Sequence, residues 1–209
     1  MSQSTVNILR RADDQEVVAT LRDGIKPEDL AAIEREWGPY RAKIKQELVR
    51  LGIDKRTWPQ SLHWDWSKKG PELKLLESSG FIIEFEGATQ GIMLTKTASY
   101  VSRLEGGKPL VYIDYLESAP WNWNVQELQR KGEFRGVGSV LFYVAVLQSE
   151  QEGFRGRVGL HALPQAESFY AGKECRMTKL GLDANKQNLP YYELSRKEAQ
   201  EHLSDGGEK

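Results

Sequence analysis

The stretch that most constrains this chain is Arg135-Gly136-Val137-Gly138-Ser139-Val140-Leu141-Phe142. Two glycines one residue apart open an apolar run from Val137 to Leu147 that has few breakers and reads as a buried helix. The glycines therefore stand at a helix N-terminus. Backbone N–H groups there lack intrahelical partners, and the helix dipole adds partial positive charge. Without side chains at Gly136 and Gly138, an anion can approach the backbone closely. Arg135, with Arg130 or Lys131, adds full charge. Such an end is a chemically sensible cradle for a pyrophosphate. The same pattern also serves as a plain tight turn, so the surrounding chain has to decide between them.

With 209 residues, 39% hydrophobic and 28% charged, the chain suits one large globular domain or a domain with an appendage. A net charge of −1 argues against a protein built mainly to bind nucleic acid. One cysteine and three histidines make a structural metal site improbable, so no metal is expected, and Cys175 has no disulfide partner within the chain. No apolar leader or membrane-spanning run is evident, and a cytoplasmic setting is the expectation. Trp58, Trp64, Trp66, Trp121 and Trp123 fall in two clusters, which read as core anchors or as an aromatic-lined cleft.

The first 25 residues read as two short strands around Ala12-Asp13-Asp14-Gln15, or as a frayed arm. Pro27-Glu28-Asp29 starts a helix. Leu30, Ile33, Trp37, Tyr40, Ile44, Leu48 and Leu51 form its apolar stripe, and Gly38-Pro39 predicts a kink or two helices. The stripe packs on the main domain or serves a homodimer or another partner. Residues 1–55 are accordingly expected to form an N-terminal extension, 56–200 the main domain and 201–209 a disordered tail. Ser61 to Trp66 resembles a strand, and Pro71 to Glu77 a helix. Phe81 to Glu86 and Gly91 to Thr97 form a hairpin, followed by a strand at Leu110 to Leu116. After the glycine turn and its helix come a strand from Arg157, a short helix from Ala166 to Lys173, and a last strand pair at 177–180 and 189–194. The expected fold is a mixed, mostly antiparallel α/β (α+β) sheet flanked by helices. Its third and fourth strands, joined by a crossover helix, should be parallel neighbours.

The order of these parts resembles the Gcn5-related N-acetyltransferase (GNAT) superfamily over residues 110 to about 195. The family signature Gln/Arg-x-x-Gly-x-Gly/Ala is matched by Glu133-Phe134-Arg135-Gly136-Val137-Gly138, and Asn-x-x-Ala-x-x-Phe-Tyr by Leu163-Pro164-Gln165-Ala166-Glu167-Ser168-Phe169-Tyr170. Ile113 to Ser118 resembles the strand that pairs with the pantetheine arm. Glu133 and Leu163 depart from the pattern, and an insertion carrying Trp121 and Trp123 separates the strand from the glycine turn.

The resemblance implies acetyl-CoA as co-substrate and an amine as acceptor. It implies cofactor contacts from Leu116, Glu117, Ser118, Arg135, Gly136, Val137, Gly138, Ser139, Phe169 and Tyr170. A protonated amine must lose a proton before it attacks a thioester. Asp114, Glu117 and His161 are the candidate bases, with Glu117 favoured because it lies nearer the end of its strand; each also has an ordinary structural reading. Tyr170 matches the family position of the acid that protonates the leaving thiolate. Backbone near 116–118 supplies the oxyanion donor in this family. Trp121, Asn122 and Trp123 are candidates for the acceptor site or for closing the domain's edge. A catalytically silent CoA-binding or interaction module is the competing reading. A P-loop nucleotide site is disfavoured, since no Gly-Lys-Ser/Thr follows the glycines.

Overall fold

A computed structural model describes residues 2–206. The chain divides into two compact units, one comprising 1–93 and 116–140, the other 94–115 and 141–209.

In the first unit, β1 (Gln3–Arg10) and β2 (Gln15–Asp23) form an antiparallel hairpin with Gln3 opposite Arg22 and Arg10 opposite Gln15. The N-terminal residues are thus strands of the sheet. They are followed by α1 (Pro27–Arg50), whose first turn is closed by the Asp29 carboxylate accepting from the Lys26 N–H at 2.7 Å. The helix is continuous through Pro39, so the expected break at Gly38-Pro39 does not occur. Its buried face is Leu30, Ile33, Trp37, Arg41, Ile44 and Leu48. Tyr40 and Leu51, assigned to the stripe by sequence, are 45% and 48% exposed, and Arg41 takes the position between Trp37 and Ile44. The chain itself covers the stripe: Ile44 and Leu48 pack with Trp123 and Val125.

Between α1 and the next strand, the chain forms four short 3-10 turns, at 55–57, 60–63, 66–69 and 72–74. The strand expected at Ser61 to Trp66 and the helix expected at Pro71 to Glu77 are therefore absent. Asp65 accepts from the Ser67 N–H at 3.1 Å, a local bond that favours a turn over an extended ladder.

β3 (Ser78–Phe85) pairs antiparallel with β2, and Glu86-Gly87 turns the chain into β4 (Ala88–Lys96). β5 (Val111–Ser118) follows, and β6 (Phe134–Arg135) pairs antiparallel with β1. The order within the first unit is β6-β1-β2-β3-β4-β5.

β4 and β5 run through both units, and in the second the order is β4-β5-β7-β9-β8. α2 (Val137–Gln151) leads to β7 (Val158–His161), which is parallel to β5 with Val111 opposite Val158 and Ile113 opposite Leu160. The expected crossover is therefore present. α3 (Glu167–Ala171) precedes β8 (Thr178–Asp183) and β9 (Leu189–Leu194), an antiparallel pair with a bulge between Lys179 and Leu182. α4 (Arg196–Gly206) is helical where a disordered tail was expected, and 207–209 lie outside the described residues. Ser195 starts it, its hydroxyl accepting from the Glu198 N–H at 3.3 Å while Glu198 reaches back to the Ser195 N–H at 3.2 Å. The result is the mixed, mostly antiparallel sheet with flanking helices that the sequence predicts. No described helix is long and apolar enough to cross a membrane.

Candidate active site

The glycine turn leaves its backbone open. Gly136 has φ +86°, and a Cβ built there meets nothing within 4 Å, so its outer face is open. α2 starts at the next residue, with the Val140 N–H donating to the Gly136 carbonyl at 2.9 Å. Val137 is buried and anchors the turn, while Gly138 and Ser139 are half-buried. Arg135 is exposed and pairs with the exposed Asp14 at 3.0 Å, a contact that water screens and that an incoming anion can displace. The turn is braced by β6 on β1 and by the Arg11 N–H donating to the Glu133 carbonyl at 2.8 Å. The Glu133 side chain is exposed. An open glycine backbone at a helix start, with an arginine beside it, leaves room for an anionic group.

Glu117 ends the buried part of β5 in the same unit and is 4% exposed. Its Oε2 accepts from the Trp66 indole N–H at 2.6 Å and lies 3.5 Å from Arg41 Nη1. Its Oε1 is buried without a hydrogen-bond partner, as is Arg41 Nη1. Burial pushes the Glu117 carboxyl up to about 7; the Ser61 hydroxyl, the Trp66 N–H and the Arg41 charge oppose that rise, and Glu34 adds to it. A carboxyl poised there exchanges a proton near neutral pH. Its surroundings are aromatic: Trp37 meets Trp66 and Trp121 edge to face, with centroids at 6.4 and 6.2 Å.

Trp121, Asn122 and Trp123 are 5%, 7% and 9% exposed, and their polar atoms have protein partners. The Trp121 indole donates to Gln90 Oε1 at 2.9 Å, and the Trp123 indole to the Ser118 carbonyl at 2.9 Å. The Asn122 amide donates to Gln90 Oε1 at 3.1 Å, and its oxygen accepts from the Phe134 N–H at 3.0 Å. This segment ties β4 to the strand that leads into the glycine turn. Leu116 and Ser118, flanking Glu117, are half-buried.

In the second unit, Asp114 is held by Lys96 at 2.8 Å. His161 is engaged on both ring nitrogens: Nδ1 lies 2.8 Å from the Tyr112 hydroxyl and Nε2 3.2 Å from Asp183 Oδ2. Burial holds its pKa below the usual histidine value against the pull of Asp183. Tyr170 on α3 is 7% exposed, and its hydroxyl finds no hydrogen-bond partner among the described residues. Burial keeps that phenol protonated well above its ordinary range. Its ring meets Phe169 edge to face at 5.1 Å. Cys175 is buried and its thiol is pushed up by desolvation, which describes an inert structural thiol.

The sequence reading missed Arg41 and Glu34, and it named Trp66 only within a tryptophan cluster read as core anchors or an aromatic-lined cleft, not as a partner of Glu117. A signal for Arg41 exists: the positions 30, 33, 37, 41, 44 and 48 follow helical spacing through it. Trp66 carries no such signal, because its partners Glu34 and Glu117 lie far away in the sequence.

No protein-family profile and no curated protein sequence matches the chain. Solved structures do. One is described as an acetyltransferase of the GNAT family from Desulfovibrio desulfuricans: TM-score 0.53, 10% identity, covering 85% of this chain and 99% of that one. Another is the aminoglycoside acetyltransferase AAC(6')-Ib in complex with coenzyme A and kanamycin: TM-score 0.50, 15% identity, covering 88% and 97%. By strand order, crossover helix and these likenesses, the chain has the fold of the Gcn5-related N-acetyltransferases.

Proposed function

We propose that the protein is an acetyl-CoA-dependent N-acetyltransferase that acts by direct attack of an amine on the thioester, with Glu117 as the base. The observation that carries this reading is the Glu117 carboxyl itself. It is buried, pushed up to about 7, and its Oε1 makes no well-formed hydrogen bond among the described residues. Acetyl-CoA, when bound, supplies the activated acetyl group. The backbone of Gly136 to Ser139 holds the pyrophosphate, with Arg135 exchanging Asp14 for it. Glu117 Oε1 takes the proton of the acceptor ammonium, and the aromatic wall of Trp37, Trp66 and Trp121 keeps bulk water from competing. Tyr170 is the proposed acid; a phenol with no acceptor among the described residues, protonated at working pH, keeps its proton available for a thiolate. An amine acceptor agrees with the kanamycin complex of the aminoglycoside enzyme. A cytoplasmic setting agrees with a free Cys175 and with acetyl-CoA as co-substrate.

The test is acetyl transfer from labelled acetyl-CoA to a panel of amines, with wild type and E117Q compared across pH. The expected result is turnover that falls below pH ~7, where Glu117 takes up its proton, and at least a 100-fold loss in E117Q. Equal turnover by E117Q would overturn Glu117 as the base.

A further inference from the structure

We propose that Arg41 is a positioning residue for Glu117: it holds one carboxylate oxygen, so that the other is the oxygen that takes the acceptor's proton. The proposal rests on the reading of Glu117 as the base.

Four groups close a ring. Trp66 donates its indole N–H to Glu117 Oε2 at 2.6 Å and its backbone N–H to Glu34 Oε2 at 2.9 Å. Arg41 Nη2 donates to the same Glu34 oxygen, and its Nη1 lies 3.5 Å from Glu117 Oε2. Each carboxylate therefore meets both Trp66 and Arg41 through Oε2. Both contacts of Glu117 within the ring go to that oxygen, while the buried Oε1 makes no well-formed hydrogen bond among the described residues, the Ser61 hydroxyl being the further polar group beside the carboxylate. A carboxylate free to rotate would present either oxygen; this one is oriented.

Arginine suits the task because its planar fork reaches two carboxylates from one rigid group and stays charged throughout. Packing does not account for it. Position 41 is a core position of α1 between Trp37 and Ile44, 4% exposed, where an apolar side chain would fill the space. Buried ion pairs replaced by well-packed apolar groups are often neutral or stabilising, so stability alone gives little reason for this one. The ionisable and polar groups facing Glu117 are Arg41 and Glu34 from α1 and Ser61 and Trp66 from the turns that follow. Lys69 lies over the Trp66 ring at 5.7 Å.

The ring contains its own reporter. The Trp66 indole N–H, assigned by comparison with W66F, is followed by ¹H–¹⁵N NMR from pH 5 to 9 in the full chain. In wild type, its shift should titrate with a midpoint near 7. In E117Q that titration should vanish. In R41M, the midpoint should rise by about one pH unit or more, a tenfold gain in proton affinity, and the acid limb of kcat should move with it at unchanged acetyl-CoA affinity. Should R41M fail to fold, R41Q carries the same expectation, since it keeps a polar side chain without the charge. An unmoved indole midpoint in the folded variant overturns the role of Arg41. A moved midpoint with an unmoved kcat profile overturns Glu117 as the base instead.

Discussion

The indole of Trp66 donates to the carboxylate of Glu117 across 2.6 Å, with Trp66 fully buried and Glu117 4% exposed. The bond joins a turn outside the regular elements to the sheet strand β5. It places a titratable group in an aromatic setting where its ionisation is costly.

Glu117 binds its proton more tightly folded than unfolded, about 7 against 4.5. Between those values the folded state carries the extra proton, so stability is greatest below about 4.5 and is lost as pH rises through 7. At 1.36 kcal/mol per pH unit, this contributes about 3 kcal/mol. Urea unfolding of wild type and E117Q should show the difference shifting by about that amount towards E117Q between pH 4.5 and 8. A constant difference would mean that Glu117 titrates normally.

Tyr170 tests the donor half. Its hydroxyl has no hydrogen-bond partner among the described residues, so Tyr170→Phe should leave the melting temperature and the acetyl-CoA Kd nearly unchanged. As loss of a proton donor it should lower kcat about 100-fold. A raised Kd with an intact kcat would make the ring a packing contact for the cofactor.

Asn122 bridges Gln90 and the Phe134 N–H from a buried position. Asn122→Ala leaves buried partners unpaired and should destabilise the protein by about 2 kcal/mol. Chemical denaturation measures this. An unchanged midpoint, with only the acceptor KM raised, would return Asn122 to the substrate site.

Gly132 allows the chain to pass against Asn122. An added Cβ would lie 2.0 Å from the Asn122 carbonyl oxygen, which is backbone and cannot swing aside. Gly132→Ala should cost about 3 kcal/mol or more, at the upper end of overpacking penalties. A variant as stable as wild type would show that the loop can move.

Much of this was legible in the residues. The glycine turn announces itself because two glycines stand just ahead of an apolar helix, where Gly136 adopts φ +86°, and a run of β-branched and aromatic residues marks β5. The buried ring was not legible. Arg41 reads as a solvated charge, since only its spacing from Trp37 and Ile44 places it inward. The alternation around His63 and Asp65 imitates a strand, but Trp66 is drawn under α1 by partners at Glu34 and Glu117 that no local pattern can show. Glu117 could be placed on its strand from sequence; the environment that gives it chemistry could not.

Acetyl-CoA binding at the glycine turn is measured by calorimetric titration of the purified protein, with Gly138→Trp on the first turn of α2 as control. Saturable binding by wild type and its loss in the folded variant are the expected results. Absence of binding to folded wild type would contradict the enzyme reading and leave a protein that keeps the acetyltransferase fold without its chemistry.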